Sequence, residues 1–215
     1  MSMGDLFSGM TQGNEQLAPG AWLLRGFARD VATILLRDVA SVAEIAPFRH
    51  LVTPGGYTMS VAMTNCGRVG WTSEARGYRY ASTDPGTGRQ WPDLPDSFAD
   101  LARRAAETAG FPDFDPDACL INRYVPGSRL SLHQDRDEND RTAPIVSVSL
   151  GLPAVFQFGG LSRTDRPARY RLEHGDVVVW GGPSRFAYHG VLPVADGYHP
   201  ETGNLRINIT FRKVF

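Results

Sequence analysis

Beyond Pro116 the chain is cut into eight short β-forming runs, each closed by Gly, Pro or Asp, and this punctuation narrows the choice of fold more than anything else in the sequence. The runs cover residues 118–124, 130–134, 145–150, 154–158, 168–172, 176–180, a strand near His189, and 205–212. Eight short strands of this kind fold as a double-sheet jelly roll. Upstream, Val31, Ile34, Leu35, Val39 and Val42 recur at helical spacing, with Asp30 placed as N-cap and Pro47 closing the segment. A second helix is expected where Phe98, Leu101, Ala102, Ala105 and Ala109 share a face, capped by Asp96 or Ser97 and stopped by Gly110. These helices are expected to cover a sheet. The fold class is therefore mainly β with flanking helices, a double-stranded β-helix (jelly-roll) core over about 116–213.

The chain has 215 residues, enough for one domain with a sizeable core. Residues 17–215 are expected to form that single domain and residues 1–16 an irregular N-terminal arm. A segment at about 51–95, rich in Gly, Thr, Pro and aromatics, reads as short strands joined by turns and serving as a lid. Apolar residues at 42% and charged ones at 21% disfavour wholesale disorder. A net charge of -1 gives no global basic footprint, so any contact with nucleic acid must be local. Two cysteines, Cys66 and Cys119, form no CxxC pair and read as small buried hydrophobes in a reducing compartment. With neither a long apolar run nor a signal-like N-terminus, the expectation is a cytoplasmic protein with no membrane segment.

The chemistry-bearing residues lie within the β-rich half. In an extended strand, side chains at i and i+2 point the same way, so His133 and Asp135 can reach one ion while Gln134 faces away. An HxD pair alone is commonly a surface pair, but His189 follows in a β-like context that suits a neighbouring strand of a roll. Two imidazoles and a carboxylate without thiolate suit Fe(II), Mn(II) or catalytic zinc, and three protein ligands leave positions for exchangeable groups. His50, His174 and His199 read as structural.

From Leu205 to Phe211 apolar and polar residues alternate, with Arg206, Asn208, Thr210 and Arg212 on one face. In isolation that is a solvent-washed strand. In a roll whose interior holds a metal, the polar face lines the cavity, and its two guanidinium groups can clamp the ends of a dicarboxylate such as 2-oxoglutarate. Asn122 and Tyr124, sharing one strand face, add an amide and a phenol donor.

Together His133-x-Asp135, His189 and Arg206-x-Asn208-x-Thr210-x-Arg212 resemble the AlkB dioxygenases that repair alkylated nucleic acid. The likeness runs from about Leu17 to Arg212 and includes Met59-Ser60-Val61-Ala62-Met63-Thr64-Asn65-Cys66-Gly67, Asn122-Arg123-Tyr124 and His174-Gly175-Asp176-Val177-Val178-Val179-Trp180. The resemblance implies Fe(II) held by His133, Asp135 and His189, with 2-oxoglutarate contacted by Asn122, Tyr124, Arg206, Asn208 and Arg212 in a pocket lined by Leu120. It implies that oxygen and 2-oxoglutarate react at iron, that the alkyl group on a base nitrogen is hydroxylated, and that succinate, carbon dioxide and formaldehyde are released.

It further makes the 51–95 segment a nucleotide-recognition lid. Trp71 becomes a stacking wall opposite His133, with Tyr78 and Tyr80 in the lid, Met63 at the pocket edge, Asp137 toward the base and Arg163 along the strand. A base methylated at a pairing nitrogen is cationic, so an aromatic face and a carboxylate prefer it to the unmodified base. The expected substrates are 1-methyladenine and 3-methylcytosine in single-stranded DNA, with RNA a further candidate target, acted on by a monomer without an obligate protein partner. The alternatives are a dioxygenase of another substrate (tRNA, protein or metabolite) and a non-catalytic lesion-binding module. Zinc-dependent hydrolysis ranks last, because it gives the paired arginines no role.

Overall fold

A computed structural model describes residues 13–74 and 76–215. In chain order these form β1 (Glu15–Ala18), β2 (Ala21–Leu24), a 3₁₀ turn (Arg29–Val31), α1 (Ala32–Ile45), β3 (Arg49–Val52), β4 (Thr58–Gly67), β5 (Gly70–Glu74) and β6 (Gly77–Ala81). There follow α2 (Asp96–Thr108), β7 (Ala118–Tyr124), β8 (Leu130–His133), β9 (Ile145–Gly151), β10 (Ala154–Phe158), β11 (Ala168–Leu172), β12 (Val177–Trp180), β13 (His189–Val191) and β14 (Arg206–Arg212). An eight-stranded sheet runs β1-β2-β12-β9-β14-β7-β4-β3 and a four-stranded sheet runs β11-β10-β13-β8, while β5 and β6 form a separate hairpin. The eight strands of the expected jelly roll divide between the two larger sheets, β12, β9, β14 and β7 in one and β11, β10, β13 and β8 in the other, with β1 to β4 extending the first at both edges. Each of the eight runs read after Pro116 is a strand.

Strand β14 shows how the sequence divides the interior. Ile207, Ile209 and Phe211 face the helices, where they pack with Leu35, Val39 and Val42 of α1 and Phe98, Leu101 and Ala105 of α2. Its alternate residues Arg206, Asn208, Thr210 and Arg212 line the space between the sheets. Burying each large apolar side chain on the helix side contributes about 1.5–3 kcal/mol, so the same strand that carries the polar face is anchored by its apolar one. A second apolar cluster, including Leu23, Val61, Phe156, Phe158, Val178 and Trp180, closes the space between the sheets around the cavity.

Three local expectations change. Asp30 does not cap α1: it lies in the 3₁₀ turn, whose i→i+3 bonds already use the first amides, Val31 to Ala28 O at 3.2 Å and Ala32 to Arg29 O. In α2 the N-cap is Pro95, Asp96 occupies the first turn, and the Ser97 hydroxyl donates instead to Asp38 of α1. Gly110 ends that helix as expected, at φ +88°. Finally, β4 falls inside the segment expected as lid, yet pairs with β7 along Ala62–Gly67 as an integral strand of the large sheet. From residue 61 to 67 it is buried on both faces, so no period-2 alternation marks it. Within 51–95 the separate covering element is the β5–β6 hairpin with the connection to α2.

Of the arm expected over residues 1–16, residues 1–12 lie outside the described residues, and Glu15 and Gln16 already pair with β2. Cys66 and Cys119 are free and buried, directly opposite each other on β4 and β7. Among the described residues no helix is long and apolar enough to cross a membrane.

Candidate active site

The small sheet brings the three expected metal ligands together. His133 ends β8 and His189 begins β13, and the two are paired in register, with ring centroids 4.4 Å apart. Asp135 follows two residues after His133, placing its Oδ1 3.7 Å from His133 Nε2 and its Oδ2 3.9 Å from His189 Nε2. Each imidazole has its Nδ1 on a backbone carbonyl two residues back, Ser131 O at 2.8 Å and Ala187 O at 3.1 Å. A carbonyl can only accept, so Nδ1 carries the proton and each Nε2 turns a lone pair toward the carboxylate. Burial, and His133 alongside, push the His189 imidazole down to about 4, which keeps it neutral and able to ligate. Burial opposes the charge on Asp135, but Arg212 and the two imidazoles outweigh it and hold the carboxyl far below the usual range. The donor set suits Fe(II).

Beside this trio, the polar faces of β7 and β14 form a slot. Arg206 is 1% exposed and makes one side-chain bond, from Nη2 to Ser149 Oγ at 3.0 Å, while its Nε and Nη1 have no partner. The Tyr124 hydroxyl and Asn122 Oδ1 are also buried and unpartnered, and the Arg206 guanidinium lies 4.7 Å from the Tyr124 ring centroid. Asn208 is held by Ser147 Oγ at 2.8 Å and Val148 O at 2.9 Å, and receives Asn122 Nδ2 at 3.2 Å and Thr210 Oγ1 at 3.0 Å. Leaving a buried donor unpaired costs about 1–3 kcal/mol, more when it is charged. An unpartnered buried guanidinium beside a phenol without a partner can receive a carboxylate. The other expected clamp, Arg212, is already engaged: its Nε and Nη2 both donate to Asp135 Oδ2, at 3.0 and 2.7 Å. Arg212 therefore stands between the slot and the metal trio.

One cavity of about 630 Å³ joins these parts and is lined in addition by residues of the β5–β6 hairpin. Its lining includes Leu120, Met63, Trp71, Tyr78, Tyr80 and Asp137, all expected there. Tyr78 stacks on Trp71 at 4.9 Å and 20°, and the indole donates to Asp137 Oδ2 at 2.8 Å. Arg163 does not line the cavity; it is exposed on the connection between β10 and β11. Three residues escaped the sequence reading. Asn65 clamps the Trp71 backbone with two bonds of 3.0 Å, and the buried Glu138 and Arg185 form an ion pair at 3.0 Å next to Arg212. A charged run such as Arg136-Asp137-Glu138 has the look of a solvated loop, and only tertiary packing reveals otherwise.

Residues 20–212 match the profile of the 2OG-Fe(II) oxygenase superfamily. The chain is 61% identical to the alpha-ketoglutarate-dependent dioxygenase AlkB of Escherichia coli (strain K12), over 97% of each chain. It belongs to the AlkB family. A second relative is the tRNA demethylase abh1 of Schizosaccharomyces pombe, 30% identical over 68% of this chain and 53% of its own. The solved structure of OsALKBH1 superposes with a TM-score of 0.81 at 29% identity, covering 93% of this chain and 99% of that one. As an AlkB-family member the protein is a dioxygenase using Fe(II), 2-oxoglutarate and oxygen, in keeping with the trio and the unpaired arginine.

Proposed function

We propose that this AlkB-family dioxygenase removes methyl groups from 1-methyladenine and 3-methylcytosine in single-stranded DNA, working as a cytoplasmic monomer in nucleic-acid repair. The observation that carries the reading is the single cavity in which the trio, the unpartnered Arg206 and an aromatic, acidic mouth meet. His133, Asp135 and His189 would hold Fe(II) on one face. Bound there with 2-oxoglutarate and oxygen, the iron supplies the oxidising chemistry that hydroxylates the alkyl carbon.

The remaining work falls to the chain. Arg206 and Tyr124 receive the distal carboxylate of 2-oxoglutarate, Asn122 and Asn208 fix the slot's polar wall, and Leu120 packs beside it. Arg212 adds a positive charge at the end nearer the metal. Trp71 offers its face to an extruded base, steadied by Tyr78 behind it and by Asn65 on its backbone. Asp137, its carboxylate turned to the indole N–H, places negative charge where a cationic methylated base enters, and a base that cannot pair is easier to extrude. Met63 and Tyr80 complete the mouth, and the exposed Arg163 is assigned to the nucleic-acid strand outside it. The hydroxylated product then sheds formaldehyde.

The test is anaerobic reconstitution with Fe(II) followed by admission of air. Stoichiometric succinate and formaldehyde from an oligonucleotide carrying either lesion is the expected result, and matched DNA and RNA oligonucleotides rank the two targets. Lesion binding without succinate would instead mark a binding module. Turnover confined to non-nucleic substrates would reassign the mouth.

A further inference from the structure

Four buried charges lie side by side, the first of them the trio's own carboxylate: Asp135, Glu138, Arg185 and Arg212, with side chains 2–9% exposed. Desolvating four ions is expensive, and buried ion pairs are often no better for stability than apolar residues of the same volume. A stability role therefore explains them poorly. Their arrangement explains them better. Arg212 takes Asp135 Oδ2 with two donors, leaving Oδ1 facing His133 Nε2 at 3.7 Å. Arg185 holds the same residue from behind, donating from Nη1 to the Asp135 backbone oxygen at 2.9 Å, while its Nε holds Ala143 O at 2.9 Å. Both guanidiniums converge on Glu138, Arg185 Nη2 at 3.0 Å and Arg212 Nε at 3.3 Å.

Glu138 has one further partner, the Tyr80 hydroxyl, which donates to its Oε1 at 2.7 Å. Tyr80 is the cross-strand partner of Trp71 in the β5–β6 hairpin, and Trp71 donates to the adjacent carboxylate, Asp137. One residue from each strand of the hairpin thus docks on two consecutive acids lying two and three residues beyond Asp135.

We infer that Glu138 is a positioning residue: through Arg212 and Arg185 it fixes Asp135 as a one-oxygen donor, and through Tyr80 it ties that geometry to the hairpin over the cavity. The inference rests on Asp135 being a metal ligand. By linkage, whatever docking of the hairpin does for metal affinity, metal does for docking. A hairpin held down by substrate then tightens the metal site, and an empty mouth loosens it.

The experiment uses the full-length chain with Co(II) as the probe, titrated by visible absorbance, and amide hydrogen exchange of β5 and β6 with and without Co(II). Glu138→Gln is expected to lose about 10–100-fold in Co(II) affinity, as loss of a partner behind a metal ligand generally does, with Glu138→Asp recovering part of it. Tyr80→Phe, which removes one hydrogen bond and little volume, is expected to abolish the slowing of hairpin exchange by Co(II). It keeps the inference testable where Glu138→Gln does not fold. Native Co(II) affinity in Glu138→Gln together with a lowered melting temperature would reduce the cluster to a structural ion pair and overturn the inference. So would undiminished metal-dependent protection of the hairpin in Tyr80→Phe. Asp135→Ala separates the two levels: if it binds Co(II) like wild type, the metal site itself is misassigned; if it does not, a negative result concerns Glu138 alone.

Discussion

Two clusters of two histidines and a carboxylate occur among the described residues: His133, Asp135 and His189 between the sheets, and His174, His199 and Glu201 at the rim near α1. In both, the potential ligand atoms lie within 4.8 Å of one another. The backbone decides between them. In the first cluster Nδ1 of each ring meets a carbonyl oxygen, so Nε2 is left with a lone pair. In the second, Nδ1 of His174 accepts from Gly151 N–H at 3.0 Å and Nδ1 of His199 accepts from Glu201 N–H at 3.3 Å. The proton of each neutral ring then sits on Nε2. For His174 that group faces Glu201 Oε2 at 3.1 Å, and the other Glu201 oxygen takes the Thr33 hydroxyl at 2.6 Å. Binding a metal through that nitrogen would require stripping the ring to an imidazolate. The inner cluster presents the lone pairs that a metal needs, and the outer one latches the segment before β14 onto the N-terminal turn of α1.

The sharpest way to break this contrast is to count metal. Asp135→Ala and His189→Ala are expected to lose both stoichiometric Fe(II) or Co(II) binding and turnover, while His174→Gln retains one equivalent. Loss of metal from His174→Gln with retention in His189→Ala would invert the assignment. Metal analysis after dialysis reads either result directly.

A smaller effect divides the cavity itself. Arg206 is the cation whose valence is open, and removing one partner of a buried charge-assisted pair typically costs about 2–5 kcal/mol. Arg206→Met is expected to raise the KM for 2-oxoglutarate by about 100-fold or more without displacing Co(II) from the trio. Equal loss of metal and co-substrate would show that the slot and the trio are one cooperative unit. Trp71→Ala is expected to act at the mouth. Base–aromatic stacking is worth about 1–3 kcal/mol per base, so lesion affinity in an oligonucleotide binding assay falls by about 10–100-fold. Affinity for 2-oxoglutarate, measured separately, follows Arg206; if it falls in step with lesion affinity, Trp71 is a packing residue.

What could be read ahead of the structure follows from periodicity. Strand β14 declares both its faces because one is apolar and the other is not, and the i, i+2 spacing of His133 and Asp135 survives although β8 ends at His133. Buried polarity is where the reading stops. Over residues 61–67 β4 is covered on both sides and so carries no alternation, and its sequence reads as part of the lid. Glu138 and Arg185 are among the most buried charges in the fold, yet each sits in a stretch that reads as surface, because their partners are 47 residues apart in sequence. Arg212 lay on the expected face, but nothing in a strand pattern tells whether a guanidinium is free for a ligand or held by a neighbouring carboxylate. The tautomers of the four clustered histidines were equally invisible, being set by which backbone group happens to face Nδ1.

The smallest expected effect sharpens the comparison from the outer cluster. Burial lowers the pKa of His174 below its ordinary value, the stacked ring of His199 at 4.2 Å and Arg29 add to this, and the Glu201 carboxylate opposes them. Because the folded state holds this ring neutral more firmly than the unfolded chain does, the unfolded chain binds the proton first as pH falls below about 6.5. The latch's contribution to stability is therefore fully present above that pH and declines on acidification through the window below it. Urea unfolding of the metal-loaded protein between about pH 7.5 and 5.5 should show wild type losing stability faster than His174→Gln, with the two curves converging at the acid end. A wild-type curve that instead gains on the variant as pH falls would mean that the Glu201 ion pair dominates and the ring is held protonated. The outer cluster would then be a salt bridge whose strength grows with acidity, and its neutral Nε2–H, on which the distinction from the metal trio rests, would have to be given up.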